Sequence, residues 1–394
     1  MWRIILTISL VSLGCDGRVT CRNDNNGEVD WFILYKSPRM ASADDPNLTG
    51  LRYLYIDSRG MRKLDRIDRP NSALGHTLQP ILKSIRKMEP RFGFLSYSDQ
   101  PPGCNADPKR FGHSKGLLMV EHNSAGVWLL HSTPQFPFRR EPENFWPPSG
   151  SANAQTFICV TFNYDQFQKI GTHLQHIRAF PFDHDIPDSF HQELKDAAKW
   201  TENSQQPNEV LIQDLTSTKG KTLRSFAKKV SDDVEEGDLY VTIAENIHSN
   251  MHVQVWGCQR DESHGNPGEC VINIDSIKNS LGEWKPATDH SKWCVAGDQN
   301  RHWTCIADVN RGRRQYGRYG GALCIEDTNV QNKFLQFAKV LGNCRKRPVP
   351  SYPECDSDSD TVPMLDSHLL LIPNYNSGNT GNDTETHINP SQMG

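Results

Sequence analysis

The sequence predicts a mixed α/β fold of layered sheets and helices. Two observations carry that reading: short runs rich in β-forming residues recur along the chain, and stretches with helical apolar spacing lie between them. Residues 29–36, Val-Asp-Trp-Phe-Ile-Leu-Tyr-Lys, have the composition of a buried strand. Residues 78–88 have apolar positions spaced for a helix. Residues 116–120 and 127–130 flank a polar turn and form a hairpin pattern. Residues 156–162 make the next strand and 190–200 the next helix. The spacing of Leu223, Phe226, Ala227 and Val230 predicts a helix over 223–230. Residues 239–243 and 252–256 read as strands, and 333–341 as a helix. The Pro-rich stretch 134–148 and the polar stretch 203–208 read as surface loops.

The 394 residues are 36% hydrophobic and 23% charged, which suits a packed core better than a disordered chain. No run beyond the extreme N-terminus approaches the roughly 18 apolar residues that span a bilayer. Arg3, the apolar run 4–13 and the small residues Gly14, Cys15 and Gly17 have the form of a signal peptide, placed at residues 1–17. The formal charge of −4 is unevenly spread. Residues 348–394 hold seven acids and no Lys or Arg, and read as an acidic, flexible tail. The body, residues 18–347, carries +3 and 13 of the 15 histidines. Histidine titrates at about pH 6.5, so in mild acid this body becomes cationic and suited to a polyanion. Past the signal peptide ten cysteines remain, with no C-x-x-C pair, which favours disulfides over a zinc site. Sequons at Asn47 and Asn382 agree with a secreted or lysosomal destination.

The chemistry signal is a tripeptide that occurs twice, His113-Ser114-Lys115 and His290-Ser291-Lys292. In an extended strand residues i and i+2 project from one face, so each histidine and its lysine share a side. Each copy is followed by a strand-turn-strand pattern, and the copies stand 177 residues apart, as a duplicated half-site requires. One His-x-Lys alone is expected by chance, and exposed edge histidines with solvating lysines are the plain alternative. Two histidines and two lysines converging on one point make a phosphate site. A neutral imidazole attacks phosphorus, and the opposite, protonated one gives its proton to the leaving alkoxide. The lysines neutralise the non-bridging oxygens, so neither a divalent metal nor another cofactor is called for.

At these residues the sequence resembles the deoxyribonuclease II family. The matching stretches include Asp99-Gln-Pro-Pro, Gly112-His-Ser-Lys-Gly, Leu130-His-Ser-Thr-Pro, Asp289-His-Ser-Lys-Trp-Cys-Val, Asp308-Val-Asn310 and Gly320-Gly-Ala-Leu-Cys324. The resemblance runs from about Cys21 to Cys344 and implies a phospholipase D-like fold, two pseudo-symmetric α/β halves with the active site between them. It implies an acid endonuclease that cuts DNA without metal and leaves 3′-phosphate ends. His113, Lys115, His290 and Lys292 match the paired catalytic motif, and the family singles out the second histidine, here His290; which histidine attacks is left open. His131 and Asn310 fall where the family has further pocket residues, for phosphate or orienting contacts. Glu121 and Asp298 stand one position later than orienting acids of the phospholipase D pattern would, and turn residues are the plainer reading. The resemblance also implies the disulfides Cys21–Cys159, Cys305–Cys324 and Cys270–Cys344, with Cys258 competing with Cys270 and Cys294 free.

Elsewhere, His248 and His252 are spaced i, i+4 without the glutamate of a metalloprotease motif, and no metal site is assigned. The basic run Arg311-Gly-Arg-Arg314, with Tyr316, Arg318 and Tyr319, suits a nucleic-acid backbone or a generic exposed loop. Two rivals to the DNA nuclease stay open: a catalytically silent binding protein of the same fold, and a phosphodiesterase on another substrate. Neither a homodimer nor a monomer is indicated.

Overall fold

Alternation along the strands decides the layering. In the strand Lys115–Glu121, Leu117 and Met119 face one way, Leu118 and Val120 the other, and all four are buried. A strand apolar on both faces must be covered on both. The computed structural model describes residues 19–40, 50–83, 88–199, 208–257 and 260–342. The stretches predicted as signal peptide and acidic tail, and Asn47, Asn382, Cys258, Cys344 and Cys355, lie outside them.

The first sheet has eight strands: β1 (Trp31–Lys36), β2 (Tyr53–Asp57), β3 (Gly60–Leu64), β4 (Phe92–Ser98), β5 (Lys115–Glu121), β6 (Ala125–His131), β7 (Gln155–Asn163) and β8 (Pro181–Asp185). Their order is β8-β4-β5-β6-β7-β1-β2-β3, antiparallel throughout. The second sheet has seven: β9 (Leu211–Thr216), β10 (Thr222–Ala227), β11 (Met251–Gln254), β12 (Val271–Asn273), β13 (Trp293–Ala296), β14 (Trp303–Ala307) and β15 (Gly321–Glu326), in the order β9-β10-β15-β14-β13-β11-β12. Between the sheets lie α2 (Gln166–His176), α3 (Gln192–Ala198) and α6 (Thr328–Phe337), where Phe167, Leu174 and Phe334 join Trp128, Tyr35, Trp293 and Leu323 in one shared core. On the outer faces α1 (Ala73–Leu78) covers the first sheet and α4 (Leu239–Ile247) the second. A short helix, α5 (Arg313–Tyr316), precedes β15. No helix among the described residues is long and apolar enough to cross a membrane.

Five strands of each sheet correspond in chain order and in neighbours: β1, β4, β5, β6 and β7 against β10, β11, β13, β14 and β15. Aligning the two His-Ser-Lys copies sets the register. Gly116 pairs with Tyr97 and Leu130, and Trp293 with Gln254 and Ile306. Carried along the ladders, Cys159 then corresponds to Cys324 and Lys36 to Lys228. Both cysteines are in disulfides, Cys21–Cys159 and Cys305–Cys324. Both lysines are buried, and each Nζ donates to the next residue's carbonyl and to a distant one: Gly50 O at 2.7 Å from Lys36, Tyr316 O at 2.8 Å from Lys228.

Three predicted elements are corrected. Residues 223–230 contribute the strand β10, not a helix. Leu223 and Ala227 face the shared core and Phe226 the outer one, a spacing that fits a two-sided strand as well as a helix. Residues 239–243 belong to helix α4, despite Val241 and Ile243, because Asp238 caps it by accepting from Tyr240 N at 2.9 Å. The helix predicted over 78–88 is not formed by residues 79–83; the helix here, α1, ends at Leu78, since Pro80 has no N–H to continue the ladder.

His173 on α2 is buried between the sheets against Trp128, and neither ring nitrogen has a partner among the described residues. Burial pulls its pKa down to about 3, with a small push from His176. The ring stays neutral in the fold while the unfolded chain charges it below about pH 6.5, so unfolding takes up a proton and stability falls as the pH drops. His173→Leu is expected to remove that loss. Between pH 7 and pH 5 the variant should lose about 2 kcal/mol less stability than the parent chain, measured by urea unfolding at the two pH values.

Candidate active site at the seam of the sheets

The two motifs are tied to opposite halves by the same bond. His113 N donates to Tyr319 O at 2.8 Å, and His290 N donates to Ala154 O at 3.0 Å. In the register above Ala154 corresponds to Tyr319, so the two bonds are related by the approximate two-fold of the sheets. Gly112 makes the first crossing possible, because a Cβ there would stand 2.0 Å from Ile177 O and 2.8 Å from Tyr319 O. Ala307 N donates to Lys292 O at 2.8 Å, and the next residue, Asp308, lies within the electrostatic reach of Lys115. Each motif is thus bonded across to the opposite half.

The surroundings of the two histidines differ. His113 is 2% exposed, and its Nδ1 lies 3.2 Å from Asp99 Oδ2 and 2.9 Å from Arg318 Nη1. Lys115 Nζ donates to Asp99 Oδ1 at 2.6 Å, and Arg318 Nη2 to Asp99 Oδ2 at 3.1 Å. Burial pulls His113 down to about 4; Asp99 pushes back, and Lys115 and Arg318 add to the drop. Burial alone would raise the Asp99 carboxyl, but His113, Lys115 and Arg318 outweigh it and hold it well below the usual range. His290 is half-buried beside the Trp256 ring, 5.5 Å between centroids, and Lys292 Nζ donates to its carbonyl at 3.0 Å. The preceding Asp289 is wholly buried and structural: it accepts from Tyr35 OH at 2.5 Å, Trp284 Nε1 at 2.7 Å and Ser291 N at 2.9 Å.

Asp308 lies near Lys115, its Oδ2 accepting from Gly321 N at 3.1 Å and its Oδ1 in no well-formed hydrogen bond. Burial raises its pKa to about 8, against the pull of the Gly321 N–H and of Lys115, so in acid it is a neutral acid. His131 ends β6, stacked on Phe157, with neither ring nitrogen in a well-formed hydrogen bond. Burial and then the Lys115 charge hold it far below its usual range, only partly offset by the Thr133 backbone. Asn310 Oδ1 accepts from Trp256 N at 3.2 Å and so steadies the partner of His290. Glu121 and Asp298 touch neither histidine: Glu121 ends β5 and Asp298 caps a turn through Asn300 N. The carboxylate at His113 is Asp99, which sequence spacing missed because it arrives from the neighbouring strand β4. Among the described residues no three His, Cys, Asp or Glu side chains are grouped as metal ligands.

A deoxyribonuclease II family model matches residues 20–344. The chain belongs to the deoxyribonuclease II family. It is 33% identical to human deoxyribonuclease-2-beta over 88% of this chain and 99% of that protein. It is 35% identical to pig (Sus scrofa) deoxyribonuclease-2-alpha over 84% and 92%, and 31% identical to plancitoxin-1 of Acanthaster planci over 86% and 96%. Among solved structures, yeast tyrosyl-DNA phosphodiesterase matches 58% of this chain and 70% of its own with 8% identity and a TM-score of 0.30.

Within this family member the basic run after Asn310 divides into two roles. Arg311 is buried, not a backbone-binding arginine. Its guanidinium donates to Asp238 Oδ2 at 2.9 Å, Asn273 Oδ1 at 2.7 Å and the carbonyls of Asp261 and Glu262 at 3.3 Å, and contacts His264 Nδ1 at 3.0 Å. Tyr316, also buried, bonds to Asp261. Arg313 is exposed, while Arg318 reaches the site. Cys270 is disulfide-bonded, while Cys104 and Cys294 are free. Arg311→Lys is expected to cost about 3 kcal/mol in denaturant unfolding by stranding Asp238, and Arg313→Ala less than about 0.5 kcal/mol.

Proposed function

We propose that this chain is an acid endonuclease that hydrolyses DNA phosphodiester bonds without a divalent metal, through a phosphohistidine, leaving 3′-phosphate ends. The observation that supports the reading is the crossed pair of backbone bonds, His113 N to Tyr319 O and His290 N to Ala154 O, which ties each His-x-Lys to the opposite half. His113, Lys115, His290 and Lys292 are the catalytic set. With Asp99 accepting from Nδ1–H, the His113 Nε2 lone pair attacks phosphorus; the P–O5′ bond breaks, and protonated His290 gives its proton to the leaving 5′ oxygen. His290, now neutral, takes a proton from water, whose oxygen attacks phosphorus and releases His113 and the 3′-phosphate. Lys115, Lys292 and Arg318 balance the charge on the non-bridging oxygens. The low pKa of His113 keeps the nucleophile neutral in acid, and neutral Asp308 keeps a second negative charge away from the phosphate. The disulfides support an oxidising compartment, secreted or lysosomal. Asn47 and Asn382 are proposed to carry glycans there.

Purified protein incubated with plasmid DNA at about pH 5 in excess chelator is expected to nick and linearise it. His113→Ala and His290→Ala should each reduce the rate by at least about a thousandfold. His290→Asn, quenched by denaturation in mildly alkaline detergent where the N–P bond survives, should accumulate DNA joined through its 3′ end to the protein. No cleavage at any acidic pH would favour a silent binding protein, and loss of cleavage on chelation would mean a metal nuclease.

A further inference from the structure

We propose that Arg318 is a positioning residue that selects which nitrogen of His113 carries the proton, and that an incoming phosphate releases that control. The inference rests on the nuclease reading above. It starts from two contacts that compete for one atom. His113 Nδ1 lies within hydrogen-bond reach of both Arg318 Nη1, at 2.9 Å, and Asp99 Oδ2, at 3.2 Å. A guanidinium only donates and a carboxylate only accepts, so the two bonds need opposite states of Nδ1. While Arg318 donates to the Nδ1 lone pair, the single proton of the neutral ring sits on Nε2, and no lone pair faces the seam. When the guanidinium moves to a phosphate oxygen, Nδ1–H bonds Asp99 and the Nε2 lone pair is free. The ring stays neutral throughout, because Nε2 gives a proton to water and Nδ1 takes one from water.

Arg318 is built to move in this way. Its side chain is 16% exposed where those of Asp99 and Lys115 are 5% and 4%, so it stands at the mouth of the cluster. Its Nε is buried without a partner among the described residues, a donor left over for a ligand oxygen. Arg–phosphate pairing is strong and bidentate, and can displace the single bond to Nδ1. The control belongs to one half only. In the common register Asp99 corresponds to Trp256 and Arg318 to Asn153, so the carboxylate and guanidinium around His113 have no counterparts at His290.

The charged and titratable groups around His113 are Asp99 beyond β4, Lys115 on β5 and Arg318 before β15, with His131 on β6 and Asp308 beyond β14 near Lys115. Removing the Arg318 cation therefore raises the His113 pKa, and removing the Asp99 anion lowers it. Arg318→Met should move the acid limb of the kcat/KM profile up by about one pH unit, and Asp99→Asn should move it down. A merely structural role would not produce opposite shifts.

The deciding measurement is ¹⁵N NMR of the histidine-labelled full chain near neutral pH, with His113 assigned through His113→Gln. The free protein is expected to show His113 protonated on Nε2, and Arg318→Met to show it on Nδ1. Inorganic phosphate added to the parent chain should shift it toward the Nδ1 form. Arg318→Lys, which keeps the charge but not the span, should change the tautomer and leave the acid limb in place. An Nδ1–H ring in the free parent protein, or an unchanged tautomer in Arg318→Met, would overturn the proposal. The tautomer needs no turnover, so absence of DNA cleavage with the expected tautomers would remove the nuclease reading alone.

Discussion

Two backbone hydrogen bonds that run in opposite directions across the seam, His113 N to Tyr319 O and His290 N to Ala154 O, are what the rest of the site depends on. Each binds a histidine shortly ahead of a strand, with Lys115 opening β5 and Lys292 immediately preceding β13. The shared core of α2, α6 and the two inner sheet faces holds the halves at the distance these bonds require. Gly112 keeps the crossing close on the first side. On the second side Asp289, accepting from Tyr35 of the first sheet and Trp284 of the second half, does the equivalent work with a buried side chain.

The duplication shows which parts of the scaffold are interchangeable. Cys159 and Cys324 keep a disulfide at the same strand position, and Lys36 and Lys228 keep a buried ammonium on loop carbonyls. Burial costs such a cation, as the depressed pKa values of about 7 and 8 indicate, so each clamp needs good acceptors to survive. The Lys228 clamp grips Tyr316, two residues before Arg318, and the Arg311 network grips the same segment from the other side. Lys36 also donates to Ser151 O at 3.4 Å, the counterpart of Tyr316, so a common clamp serves the corresponding loops of both halves, and only the second loop carries the arginine that brings the asymmetry to His113.

The layered α/β class and the two motifs were legible because strand composition and an exact tripeptide repeat are local signals. Helix and strand were confused at residues 223–230 and 239–243, where the apolar spacing fits both and pairing partners or a cap decide. The carboxylate at His113 was not legible from spacing after the lysine, because Asp99 comes from the strand before it and meets the motif only through the β4–β5 ladder. Arg311 read as a surface cation since nothing local marks a guanidinium whose acceptors, Asp238, Asp261 and Asn273, lie 38 to 73 residues away.

The histidine count needs the same correction. Thirteen histidines in a body of +3 suggested a surface that turns strongly cationic in acid. Burial instead lowers His76, His113, His131, His173, His184 and His252, so much of that charge is withheld. Near His113 the neighbouring cations are Lys115 and Arg318, both paired with Asp99. What acid does there is neutralise Asp308, whose raised pKa lets it shed its negative charge well above the range where His113 would gain a positive one. Between about pH 4 and 8 the two titrations leave a neutral imidazole beside a neutral acid. The separation of these two buried pKa values, more than the abundance of histidine, supports the working range in acid proposed above.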